Sequence, residues 1–247
     1  MNVKISSLAL VVSLLTAPLA HAHSMPHWSY SGDGAPEKWG KLSEDFGACE
    51  KGYNQSPVDI QQVVKSELPP LSLTYQAKDK SIINNGHTLQ LNVHDGDKLL
   101  VDDTEFTLLQ FHFHTPSENQ INGRAYPLEL HFVHSDDKGN LAVVGVMFEK
   151  GKANPAIADI LNMVPATINV AEAVAKPVSL AELMPGDKHY FRFSGSLTTP
   201  PCTEGVRWLV MKQPVTLSAG QIDAFKKVLG DNNSRPVQPL NGRVIVD

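Results

Sequence analysis

The chain has 247 residues and a formal net charge of −5, from 21 basic and 26 acidic side chains. Such mild acidity argues against nucleic acid or an anionic membrane surface as a partner, since both favour basic proteins. The length suits one large domain or two small ones, enough to bury roughly 70% of the unfolded surface.

In chain order, the first segment reads as a targeting signal. Lys4 precedes an apolar run over residues 5–15, and Ala20 and Ala22 form an A-x-A site. This is the pattern of a secretory signal peptide, too short in its apolar part to span a membrane. The expected signal is residues 1–22, cleaved after Ala22, leaving 23–247 as the mature domain. Export points to the periplasm of a Gram-negative cell, with secretion beyond it left open. The neighbouring His21, His23 and His27 read as a solvated tail rather than a metal site. Cys49 and Cys202 are the two cysteines. An isolated pair in an exported protein is expected to form one disulfide, because that compartment is oxidising.

Alternation of apolar and polar residues predicts strands over 88–93, 105–114, 128–134, 141–149, 191–196 and 206–210. Turns are expected at Asn84-Asn85-Gly86, Asp95-Gly96, Asn122-Gly123 and Lys138-Gly139. Helices are few. One follows Ser218, where Ser218 and Gln221 form an S-x-x-Q capping box, Ile222, Phe225 and Leu229 share a face, and Gly230 is the stop. A short one is predicted over 155–163. The fold class is therefore mainly β (α+β): one domain around a large, mostly antiparallel twisted sheet with a few peripheral helices.

The chemistry concentrates in QFHFHTPSEN, residues 110–119. On a strand the side-chain period is two, so Gln110, His112 and His114 share one face while Phe111 and Phe113 take the other. Two imidazoles on one strand face can converge on a metal. The leading third ligand is His131 in Glu129-Leu130-His131-Phe132-Val133, again a strand, with Glu129, His131 and Val133 on one face. Three histidines with an open fourth position describe a catalytic zinc site. A ligating imidazole commonly donates its second N–H to a nearby acceptor, and Gln110 and Glu129 each stand two residues before a ligand. Taken alone, an H-x-H pair is also a common surface or core feature. His134, on the face opposite His131, reads as structural.

Ser117-Glu118-Asn119, Ile121, Tyr126 and the Glu129–Val133 pentad resemble the signature of the α-class carbonic anhydrases. Trp28-Ser29-Tyr30, residues 54–60, Asn84-Asn85-Gly86-His87, residues 196–201 and Arg235-Pro236 with Gln238-Pro239-Leu240 are similar to further landmarks of that family in order. The resemblance implies a carbonate dehydratase that reversibly hydrates carbon dioxide to bicarbonate and a proton through zinc-bound hydroxide, with one Zn2+ per chain on His112, His114 and His131. It implies that Thr198 donates to Glu118 and orients the hydroxide, and that His87 shuttles the proton along water ordered by Tyr30 and Asn85. It further implies a substrate pocket of Val133, Val143, Leu197, Thr199 and Trp208, and a disulfide between Cys49 and Cys202 that fastens the 196–201 loop. Between His114 and Glu118 only three residues intervene, a shortening that resembles bacterial members. The expected partner is a small molecule; a homodimer is left open. A catalytically silent binding module of the same fold and a periplasmic zinc carrier are the other readings, and the complete histidine set weighs against the first of these.

Overall fold

The computed structural model describes residues 26–76, 79–230 and 232–247. The signal segment expected at 1–22, with His21 and His23, lies outside the described residues.

The strands are β1 (Asp59–Ile60), β2 (Ser72–Thr74), β3 (Asp79–Asn84), β4 (Leu89–Val93), β5 (Lys98–Val101), β6 (Thr104–His114), β7 (Gln120–Ile121), β8 (Leu128–Ser135), β9 (Leu141–Lys150), β10 (Glu172–Ala173), β11 (Tyr190–Ser196), β12 (Glu204–Met211) and β13 (Val215–Leu217). The α-helices are α1 (Trp39–Leu42), α2 (Ala48–Lys51), α3 (Pro155–Leu161) and α4 (Ala219–Leu229). All six predicted strands form, within two residues at each end. The six-residue β3 was not anticipated, nor were the strands of two to four residues, which carry too little alternation to read.

Among the described residues, eleven strands make one sheet in the order β10-β3-β4-β6-β8-β9-β12-β11, with β5, β2 and β13 attached beside it. Most neighbours are antiparallel, as expected, but β9 pairs in parallel with both β12 and β13, so the sheet is mixed. The predicted turns rest on glycines with positive φ at Gly86, Gly96, Gly123 and Gly139, a region open to glycine because it lacks a Cβ.

Helix α4 begins as predicted. Ser218 Oγ accepts from the Gln221 N–H, and Gln221 Oε1 accepts from the Ser218 N–H, satisfying two of the orphan donors at the helix start. Its Phe225 packs 4.8 Å, centroid to centroid, from Phe113. Phe113 in turn belongs to the main core with Phe111, Leu130, Phe132, Val144 and Val146. These core residues alternate along β6, β8 and β9 with residues of the opposite face. That opposite face carries a second, smaller cluster containing Val133, Val143, Met147 and Trp208. The sheet therefore has a dry face under α3 and α4 and a face free to hold polar groups.

Candidate active site

Register decides which side chains meet on the second face. In β6 and β8, His112 pairs with His131, Gln110 with Val133 and His114 with Glu129. Directly paired residues in an antiparallel sheet share a face, so one strand pair carries all three imidazoles and the two groups predicted to support them. The row continues from His131 to Gly145 of β9, and on the other side from His112 to Gln90 of β4. A Cβ on Gly145 would meet Glu129 Oε1 at 3.1 Å, which leaves the carboxylate room beneath the cluster.

His112, His114 and His131 each offer a ring nitrogen, all within 4.8 Å of one another, and among the described residues they form the group that could hold a metal ion. Two of the other ring nitrogens are hydrogen-bonded. Nδ1 of His112 stands 2.8 Å from Gln110 Oε1, and Nδ1 of His114 stands 2.9 Å from the Asn233 carbonyl. Both contacts leave Nε2 toward the cluster. For His131 the order is reversed: Nε2 lies 2.9 Å from Glu129 Oε1, although bent too far for a hydrogen bond, and Nδ1 turns inward. Burial and mutual repulsion push the His112 pKa well below its usual value, and the same two causes act on His131. Burial also lowers that of His114. Neutral rings are the form that ligates metal.

Glu129 is a hub. Its Oε2 accepts the backbone N–H groups of Glu118 and Asn119, each at 2.8 Å, and Oε1 accepts the Asn119 amide. Glu118 is fully enclosed: one oxygen takes the Arg235 N–H at 2.9 Å, and the other lies 3.4 Å from His114 Nε2 and 3.9 Å from His131 Nδ1. Burial raises the Glu118 pKa to about 8, opposed by hydrogen bonds from the Arg235 N–H and the Thr198 hydroxyl. Burial likewise raises Glu129 to about 6. Oε2 of Glu118 and Nε2 of His114 are buried without a hydrogen-bond partner. Buried polar atoms left without a hydrogen bond are costly, and a cation at the three imidazoles would satisfy the His114 nitrogen.

Thr198 belongs to the loop after β11, which closes through Leu197 N–H to the Thr203 carbonyl and Cys202 N–H to the Thr199 carbonyl. The Cys49–Cys202 disulfide forms, with a Cα separation of 5.0 Å, and fastens this loop to α2. Val133, Val143 and Trp208 lie in one cluster with Leu197 packed against it. Trp208 also stands edge-on to His131 at 4.9 Å, which places the apolar wall beside the histidines.

The turn bearing His87 is held close by, through Asn233. Asn85 Oδ1 accepts the N–H groups of His87 and Thr88, so its carbonyl shapes the turn and only its amide NH2 remains for water. Tyr30 is partly buried, and loss of solvent around its hydroxyl raises its pKa well above the usual value. Its ring stands 6.5 Å from that of His87. His134 faces the main core as expected, 2.8 Å from the Tyr75 hydroxyl. His27 is exposed, as the tail reading anticipated, but it is not free of the site: its ring lies 6.4 Å from His87.

Two residues central to this arrangement escaped the sequence reading. Asn233 ties the pieces together: its carbonyl takes the His114 ring, its Oδ1 accepts the Thr115 N–H, and its Nδ2 donates to the carbonyls of His87 and Phe113. Arg235 was noticed only as part of a motif. It supplies its backbone N–H to Glu118, and its guanidinium donates to Gln55, Ser56 and Cys49. Neither carries a periodicity that marks it in sequence. A surface hollow of about 760 Å³, lined by residues such as Asp95, Lys98, Glu105 and Asp136, lies away from the histidines.

Fold and site together are those of an enzyme with three histidines of a broad sheet placed so that they could hold one metal ion. Comparison with known proteins narrows this. The model of the eukaryotic-type carbonic anhydrase family matches residues 34–247, and the chain belongs to that family. It is similar to the carbonic anhydrase of Pectobacterium carotovorum, at 51% identity over 97% of this chain and 98% of that protein. Similarity to the carbonic anhydrase of Neisseria gonorrhoeae is 44% identity over 97% and 95% of the two chains. Among solved structures, the α-carbonic anhydrase of Thermovibrio ammonificans in complex with sulfanilamide superposes with a TM-score of 0.88 at 45% identity, covering 91% of this chain and all of that one.

Proposed function

We propose that this chain carries out the zinc-dependent, reversible hydration of carbon dioxide to bicarbonate and a proton. It is an enzyme of the carbonate dehydratase type. The observation that carries the reading is the convergence of three imidazoles beside the buried Glu118, two with the remote nitrogen hydrogen-bonded and the third with it against the Glu129 carboxylate.

The donor set fits zinc, with Nε2 of His112, Nε2 of His114 and Nδ1 of His131 as ligands. Zinc supplies a nucleophile from water near neutral pH by lowering the pKa of water from 15.7 to about 7, a magnitude for which carbonic anhydrase is itself the standard example. A divalent charge there would also draw Glu118 and Glu129 down into their ionised forms.

The remaining roles belong to the chain. Thr198, its proton committed to Glu118, can only accept from the attacking hydroxide, which turns an oxygen lone pair toward the carbon. Val133, Val143, Leu197 and Trp208, with Thr199 at the edge, hold carbon dioxide without competing for its oxygens. His87 takes the product proton outward; an imidazole can load and unload around neutrality, and burial lowers this one from its ordinary value, which favours release. Tyr30 stays a neutral hydroxyl and, with the Asn85 amide, orders water on that path. The chain is proposed to act in the periplasm as one domain over residues 23–247, after removal of residues 1–22, and its disulfide suits an oxidising compartment.

Stopped-flow carbon dioxide hydration, followed with a pH indicator before and after zinc removal and readdition, tests the reading. Turnover that disappears and returns with zinc is expected. Full zinc occupancy without turnover would overturn it.

A further inference from the structure

The N-terminal aromatic segment packs onto the shuttle turn in a way that hydration itself does not require. Trp28 stacks on His87 with ring centroids 3.7 Å apart and planes 10° apart. Trp28 is in turn braced edge-on by Tyr30 at 5.5 Å and by Trp39 at 5.2 Å. Trp39 is fully buried and donates its indole N–H to the carbonyls of Ser29 and Gly34, so the platform is fixed rather than a trailing tail. His27, the residue before the stacked Trp28, holds its ring 6.4 Å from His87 at 35°. His27 is exposed, whereas His87 is half-buried. The pair therefore leads from the enclosed side to solvent, at a spacing that one bridging water suits.

We infer that His27 is a second station on the proton exit, receiving the proton from His87 and delivering it to bulk water or buffer. The inference rests on the reading of His87 as shuttle. Protonated His87 gives its proton through the intervening water to a neutral ring nitrogen of His27. His87 returns to the neutral form, and the His27 imidazolium then releases to buffer, so one proton leaves and both rings are reset. The titratable rings facing His87 are His27 and Tyr30; its turn is otherwise held by neutral Asn85 and Asn233. Burial first, and the charge on His27 second, lower the His87 pKa. A loaded outer station thus favours release by the inner one.

The test compares the parent, His27→Ala, His87→Ala and the double variant, all as zinc-loaded full mature chains. His27→Ala is expected to lower kcat in dilute buffer by about threefold, short of the ~10²-fold or more that a directly transferring group provides. kcat/KM holds, and added imidazole restores kcat. A second readout is independent of turnover: the His87 ring, titrated by NMR in metal-free protein, shifts its midpoint upward when His27 is removed. In the His87→Ala background, removal of His27 adds nothing, the signature of two groups in series. An unchanged kcat and an unchanged His87 midpoint in His27→Ala would overturn the inference, as would a full additive loss in the double variant. If His87→Ala itself leaves buffer dependence untouched, the shuttle reading fails first, and the single variants tell the two failures apart.

Discussion

Reduction of the Cys49–Cys202 bridge is expected to cost this protein much of its thermal margin. The bridge closes a loop of 153 residues, so releasing it returns to the unfolded chain roughly 17 cal/mol/K of entropy in the chain-entropy model, or about 5 kcal/mol at 25 °C. Small enzymes are stable by only about 5–15 kcal/mol, and each kcal/mol shifts Tm by about 2–4 °C at this size. The melting temperature should therefore fall by roughly 10–20 °C. Calorimetry with and without a phosphine reductant measures it, with thiol titration to show that the bridge has opened. Cys202 also belongs to the loop bearing Thr198, so hydration should weaken below the new melting point. Full reduction with Tm unchanged within about 2 °C would refute the reasoning.

His114→Ala should lose zinc and hydration together, read by metal analysis of the purified protein and by stopped flow; full activity would exclude His114 as a ligand. His87→Ala should slow turnover in dilute buffer toward the lower end of the ~10²–10⁴-fold range of general acid–base groups, with rescue by imidazole, and buffer independence would sink the assignment. Glu118→Gln should lower kcat/KM on the order of 10²-fold with zinc retained. Metal-free Tm should hold or rise, because burial opposes charge on this carboxyl strongly enough to bring its pKa to about 8. The buried His134 has a folded pKa of about 4 against 6.5 unfolded, set first by burial. The unfolded chain thus binds more protons between those values, and stability should fall by about 3 kcal/mol as pH drops through that window. Denaturant titrations of the parent and His134→Gln at pH 7 and 5 check this, and equal acid sensitivity would exclude His134 as a source of the acid lability.

What could be read from the chain was what local periodicity encodes. The alternation through His112 and His114 placed both on one face, and the Ser218–Gln221 box placed the start of α4. What could not be read depends on partners distant in sequence. Asn233 reaches His114 across 119 positions, and nothing in Asn-Asn-Ser announces it. The parallel pairing of β9 with β12 arises from where the chain returns, which strand alternation leaves undetermined. Asn85 belonged to the expected site, yet its carbonyl serves the backbone of its own turn, a use typical of Asn in turns.

The phenylalanines that alternate with the ligands have a consequence for motion. Phe111, Phe113 and Phe132 are fully buried on the dry face of the same strands that carry His112, His114 and His131. Binding centres commonly sit on loops, the least protected parts of a fold. Here the amides around the imidazoles should be among the slowest to exchange with deuterium, since exposing them means opening the main core. Whatever breathing turnover requires is thereby confined to the rim, in the Thr198 loop and the turn at His87, while the centre stays as still as the core beneath it.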